Sequence, residues 1–197
     1  MKNISFLLLI LFLNVDCVIF NSDYKIENGG KSESEKFHEL LSEQWEKGIV
    51  RNPEWACSLG DNRFNHKLND TSYETILKRQ DETRELQEIV KKIDRSKLSE
   101  DDQLNYDLYL HGIEKQIEGF QFLSYLIPID QMGGIQIGFA GISNYMPFNN
   151  VKDYENYLAR MRAFPTKLDQ TIDLMKRGVK VGWAPPKIIL GSVPDQI

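Results

Sequence analysis

From Phe37 onward the apolar residues return every three or four positions, and that period decides what this chain can fold into. Phe37, Leu40, Leu41, Trp45 and Ile49 mark a first helical stripe, with Pro53 just beyond it. Tyr73, Ile76, Leu77, Leu86, Ile89, Val90 and Ile93 mark a second, with Glu74–Lys78 and Glu88–Lys92 as favourably ordered pairs on its wet side. Ser99 reads as an N-cap, because Glu100, Asp101 and Asp102 follow it at the positive end of a helix dipole. Tyr106, Tyr109, Leu110, Ile113, Ile117 and Phe120 make the third stripe. The spacing returns at Tyr154, Tyr157, Leu158 and Met161, is expected to break at Pro165, and resumes at Leu168, Ile172, Met175 and Val179. Gly182 then supplies a stop, and Pro185-Pro186 would open one more helix at Lys187. No strand-like alternation lasts long enough to build a sheet. The expectation is an all-α array of about six to seven helices.

One stretch departs from this period. Between Pro128 and Asn150 stand Gly133, Gly134, Gly138, Gly141 and Pro147, with apolar residues scattered among them. A connection in a helical bundle usually takes about two to eight residues, so this segment is too long for a simple turn. It is expected to be a buried or functional loop, whose glycines let the backbone pass close to packed helices, with a substrate-facing loop as the alternative.

The N-terminus has a different character. Residues 1–22 read as a secretory signal peptide: Lys2 gives the positive start, and Ile4 to Leu13 is almost uninterrupted apolar sequence. Ten residues of helix rise only about 15 Å, roughly half of a bilayer core, so a membrane span is not expected. Val15 and Cys17 fit the small positions before a cleavage site. A lipid-bearing Cys17 is the alternative, but Asn14 and Asp16 flank it poorly. Residues 23–34 form a polar segment, and residues 35–197 form the helical domain. Loss of the leader leaves Cys57 as the one cysteine, which rules out an intrachain disulfide and points to a buried thiol in the apolar run around it. Export would also make Asn69-Asp70-Thr71 an N-glycosylation acceptor at Asn69. With 24 Lys and Arg against 29 Asp and Glu, interspersed throughout, no basic face for nucleic acid emerges.

The chemical motifs mostly fail on spacing. His38-Glu39 resembles the start of a zinc-protease helix, but position 42 is Ser where the second histidine must stand. His66, with Asp61 and Asp70 nearby, fits no known ligand loop, because Arg63 occupies a position that needs an acid or amide. A hydrogen-bonded turn with Asp61 paired to Arg63 is expected instead. His111 falls on the flank of the third stripe and is expected at the edge of the core. The glycines of the 128–150 loop match neither a Walker loop nor a dinucleotide fingerprint, and Gly141-Ile142-Ser143-Asn144-Tyr145 lacks the second glycine of a nucleophile elbow. The residues themselves assign no catalytic and no metal-binding position.

A family resemblance takes the reading further. Its specific part is the segment from Tyr154 to Pro165 (YENYLARMRAFP), followed by Leu168-Asp169-Gln170 and Met175-Lys176-Arg177-Gly178. Pro53-Glu54-Trp55-Ala56, Leu59 to Phe64, Gln131-Met132-Gly133, Gly182 to Pro186 and Gln196-Ile197 extend it. The chain resembles the N-terminal part of domain-of-unknown-function family 885, whose members are exported, helical and similar to zinc metallopeptidases. The resemblance implies a zinc-bound water attacking a peptide carbonyl, with a glutamate as general base, in the full-length form. It places the metal motif, a His-Glu pair followed by Pro-Gly-His-His, downstream of the matched segment. This sequence holds no such run, so zinc is expected only in a full-length member and no catalytic residue is carried over. Only eleven residues follow Pro186, so the chain is expected to be a truncated portion of that fold, contributing one wall of a channel for peptide substrate.

Overall fold

The computed structural model describes residues 30–196, and among these there is helix and loop but no strand. Seven α-helices follow in order: α1 Glu33–Arg51, α2 Pro53–Ser58, α3 Tyr73–Val90, α4 Glu100–Gly119, α5 Ile135–Gly138, α6 Val151–Lys180 and α7 Lys187–Leu190. The leader assigned to residues 1–22, with Cys17, lies outside the described residues.

Local chemistry sets the helix starts. Ser32 and Glu35 form a reciprocal capping box at α1, the Ser32 N–H donating to Glu35 Oε2 at 2.7 Å and the Glu35 N–H to Ser32 Oγ at 3.2 Å. Ser99 caps α4 by accepting from the Asp102 N–H at 3.2 Å, as its sequence context requires. Asn150 caps α6 in the same way, accepting from the Asp153 N–H.

The first core is apolar and lies where α1, α3 and α4 meet. Phe37, Leu40, Val90, Ile93, Leu98, Tyr106 and Ile113 are buried together there. Phe37 packs against the rings of Tyr106 and Tyr109 at 6.0 and 6.4 Å. A second, smaller core joins Cys57 of α2 to Ile142 and Met146 of the 128–150 segment. Cys57 is a buried free thiol lying 3.6 Å from the Tyr145 carbonyl oxygen.

The expected break at Pro165 does not occur. α6 runs unbroken for 30 residues with Pro165 inside it. A proline there removes one backbone hydrogen bond and crowds the preceding turn. The helix survives because it is buried on both sides of the proline, through Asn156 and Arg160 before it and Thr171, Leu174 and Gly178 after it. The face it buries is also unexpected. Tyr154, Leu158 and Met161, which reveal the helix in the sequence, are exposed, whereas Asp153, Asn156 and Arg160 turn inward.

α6 ends in a Schellman motif. The Trp183 N–H reaches the Gly178 carbonyl at 2.8 Å and the Gly182 N–H reaches that of Val179 at 3.1 Å, with Gly182 at φ 76°. Gly178 is also a point of backbone contact: a Cβ there would stand 2.5 Å from the Trp183 carbonyl oxygen and 2.8 Å from that of Leu126. α3 and α6 are pinned together by the Arg177 guanidinium, 4.0 Å above the Tyr73 ring and 3.8 Å from Glu74. Glu74 thus pairs across helices rather than with Lys78, and Glu88 contacts Lys91 rather than Lys92.

Candidate functional site

The 128–150 segment is not a featureless loop. It folds into α5 and a 3-10 turn at Ala140–Asn144, which bring Ile135, Phe139, Ile142 and Tyr145 to one side. That side faces a cavity of about 480 Å³. α6 closes it from below with Lys167, Thr171 and Leu174, and α2 contributes Glu54 and Trp55. Phe139 is held by stacking on Phe164 of α6, their ring centroids 3.9 Å apart. The size is that of a small-ligand site, and the wall is largely apolar with few polar groups, the usual make-up of such sites.

The polar groups come from residues far apart in sequence. Lys167 Nζ lies 3.4 Å from Glu54 Oε1 and donates to the Asn69 carbonyl at 3.2 Å. The other Glu54 oxygen accepts the Asn69 N–H at 3.0 Å. Glu54 and Lys167 therefore clamp both backbone groups of Asn69. Gln170 holds the next stretch, its Oε1 accepting from the Thr71 N–H at 3.0 Å and its amide donating to Asp70 at 2.8 Å. Beneath them Arg160, fully buried, donates to the Pro53 carbonyl at 2.9 Å and the Lys67 carbonyl at 2.8 Å. Its remaining nitrogen, Nη1, is buried without a partner.

The electrostatics follow from burial. Loss of solvent pushes the Lys167 pKa below the usual lysine value, and the Glu54 charge opposes that only in part. Burial likewise raises the Tyr145 phenol on the cavity wall. Burial pushes Asp70 upward, but hydrogen bonds from Thr75 and Ser72 outweigh it and hold the carboxylate below its usual range. The two threonine hydroxyls of the wall are engaged, Thr71 with Gln170 and Thr171 with the Lys167 carbonyl. The arrangement is thus suited to holding an apolar group beside a polar one rather than to nucleophilic attack.

The residues singled out in the sequence are scattered. His38 is exposed on α1, and its Nε2 meets Asp102 Oδ1 of α4 at 2.7 Å. His66 lies in the strap of residues 59–72 that joins α2 to α3; burial first, then the charges of Lys67, Lys152 and Arg160, lower its pKa. His111 is exposed rather than at the core edge, because the flank of α4 that carries it faces solvent. Asp61 and Arg63 pair as expected, with Nη2 and Oδ2 2.6 Å apart. Asn69 lines the cavity; its Oδ1 is buried without a partner. A glycan on its amide would have to fill the cavity or leave through its mouth. Zinc, implied for longer relatives, has no fitting donor set here: among the described residues no three His, Cys, Asp or Glu side chains converge.

Sequence reasoning located the glycine-rich wall but missed Glu54, Arg160 and Lys167. One signal was present. Asn156, Arg160 and Lys167 share the three-to-four-residue spacing of a helix face, on the side of α6 away from Tyr154 and Leu158.

Among the described residues, no helix is long and apolar enough to cross a membrane. No curated protein and no solved structure matches the chain significantly. The model of the family described as "Bacterial protein of unknown function (DUF885)" matches residues 53–197. That match takes in every residue lining the cavity except Asn52 and well over half of the sequence, and the chain therefore belongs to domain-of-unknown-function family 885.

Proposed function

We propose that this chain is the N-terminal helical region of an exported, zinc-metallopeptidase-like hydrolase, and that its cavity forms part of the wall along which a peptide substrate lies. The observation that carries this reading is the cavity of about 480 Å³, in which an apolar wall stands beside the Glu54–Lys167 pair. A peptide presents the matching combination, an apolar side chain next to a polar backbone. The metal-bound water and its general base belong to a downstream part of the full-length protein, so the 197-residue chain binds and does not cleave.

Trp55 on the cavity wall gives a direct test by its own fluorescence. Short peptides with a bulky apolar side chain should change that emission saturably, and Phe139→Ala should weaken their binding about 10-fold. Absence of saturable binding would remove the cavity from the proposal. Stoichiometric zinc, or chelator-sensitive peptidase activity, in the 197-residue protein would contradict the division of labour. The coding sequence after codon 197 should encode the His-Glu and Pro-Gly-His-His run.

A second reading is a non-catalytic secreted helical binding module. It is favoured by one observation: the cavity is walled by this chain's own elements and needs no other segment to form. A downstream frame without the metal run, together with intact peptide binding, would select it.

A further inference from the structure

α6 buries several polar residues and leaves a set of apolar ones exposed, and the exposed set has a regular spacing. Val151, Tyr154, Leu158, Met161, Ile172 and Val179 are exposed, from 38% at Ile172 to 76% at Val151. Pro165, Leu168 and Met175 fall in the same series, so the steps alternate three and four without interruption for the whole helix. That is the a/d repeat of a coiled coil, and an average step of 3.5 residues winds a left-handed stripe that fits one long helix crossing at about 20°. The stripe is about 45 Å long.

The residues flanking the stripe indicate which helix fits. On one side stand Glu155, Arg162, Asp169 and Lys176, all exposed, with charges alternating in sign. On the other side Phe164 is stacked on Phe139, and Tyr157 packs edge-on to Phe148, so that flank is already occupied by the body of the protein. A parallel copy of α6 would set the charged flank against this uncharged one. An antiparallel copy, with Leu168 opposite the partner's Pro165, sets charged flank against charged flank. Glu155 then meets the partner's Lys176 and Arg162 meets the partner's Asp169, and the two-fold axis repeats both pairs. Every flanking charge finds its opposite.

We propose that α6 is a self-complementary surface by which two copies of this chain pair antiparallel. The proposal is independent of the hydrolase reading, because none of the residues it places in the contact lines the cavity.

The test is the mass of the purified protein in solution, by sedimentation velocity across concentration and salt. A dimer that weakens as salt rises is expected. Glu155→Lys with Arg162→Asp should weaken association about 100-fold, since four attractive contacts become repulsive. Asp169→Arg with Lys176→Glu should do the same. Mixing the two double variants should restore the dimer, because all four contacts are again between opposite charges. All four positions are exposed, so far-UV circular dichroism should match the parent. A monomer at all concentrations would overturn the proposal and leave the stripe to a helix of another polypeptide. Association indifferent to the reversals would overturn it too, by placing the contact elsewhere.

Discussion

The two cores of this molecule are held together by different means. Where α1, α3 and α4 meet, seven buried apolar side chains pack together, with one buried carboxylate, Asp102, at their edge. Around α6 only Cys57, Ile142 and Met146 form a buried apolar cluster, while Asp153, Asn156, Arg160 and Thr171 are buried beside them. Apolar contacts are tolerant: they hold a fold through area and volume and are indifferent to direction. Buried polar groups are directional and costly when unmet, so they fix one arrangement of backbone. The contrast assigns stability to the first half and precise placement of a cavity to the second.

The contrast can be broken at either end. Phe37→Ala should cost the most, about 3–5 kcal/mol in urea unfolding, since it empties the centre of the apolar core. Arg160→Met keeps the length of the side chain but removes its hydrogen bonds to the Pro53 and Lys67 carbonyls, and should cost about 2–4 kcal/mol. It should also loosen the strap, so peptide binding falls further than stability does. Gly178→Ala forces a methyl group against two backbone carbonyls and should cost about 1–3 kcal/mol, read by thermal unfolding.

Two smaller effects sharpen the comparison through pH. The Lys167 pKa is lowered by burial in the native state, so the native protein releases this proton before the unfolded chain does. Stability should therefore rise with pH from the lowered native value up to about 10.4, and Lys167→Met should flatten that rise. Stability rises with pH at the edge of the first core too, but in the acid range and through a favourable contact rather than a burial cost. Hydrogen bonds from His38, then Ser34, hold Asp102 below its usual range, so its contribution is present above about pH 4 and is lost as pH falls through the native value. His38→Ala should be less stable than the parent above that pH and converge with it below.

How legible each half was in the sequence follows the same division. The apolar core could be read directly, because Phe37, Leu40, Tyr106 and Ile113 sit on stripes that face inward, and Ser99 announces its helix. The site was legible only on one wall, the glycine-rich stretch that breaks the helical period. Glu54 and Lys167 lie 113 residues apart, and nothing local to either shows that they meet. Pro165 misled for a related reason: local rules end a helix there, and the burial that keeps α6 intact comes from elements that precede it in sequence by about a hundred residues. His111 shows the limit of placing a residue by the edge of a stripe.

Arg160 has a consequence for the order of events during synthesis. Its bonds to Pro53 and Lys67 span 107 and 93 residues, so these two contacts form only after most of the chain has been made. At about 5–20 residues per second, the α1–α4 half is complete for several seconds before α6 has emerged. The apolar half can settle in that interval, while α2 and the strap beside it stay open until a single arginine arrives to fasten them.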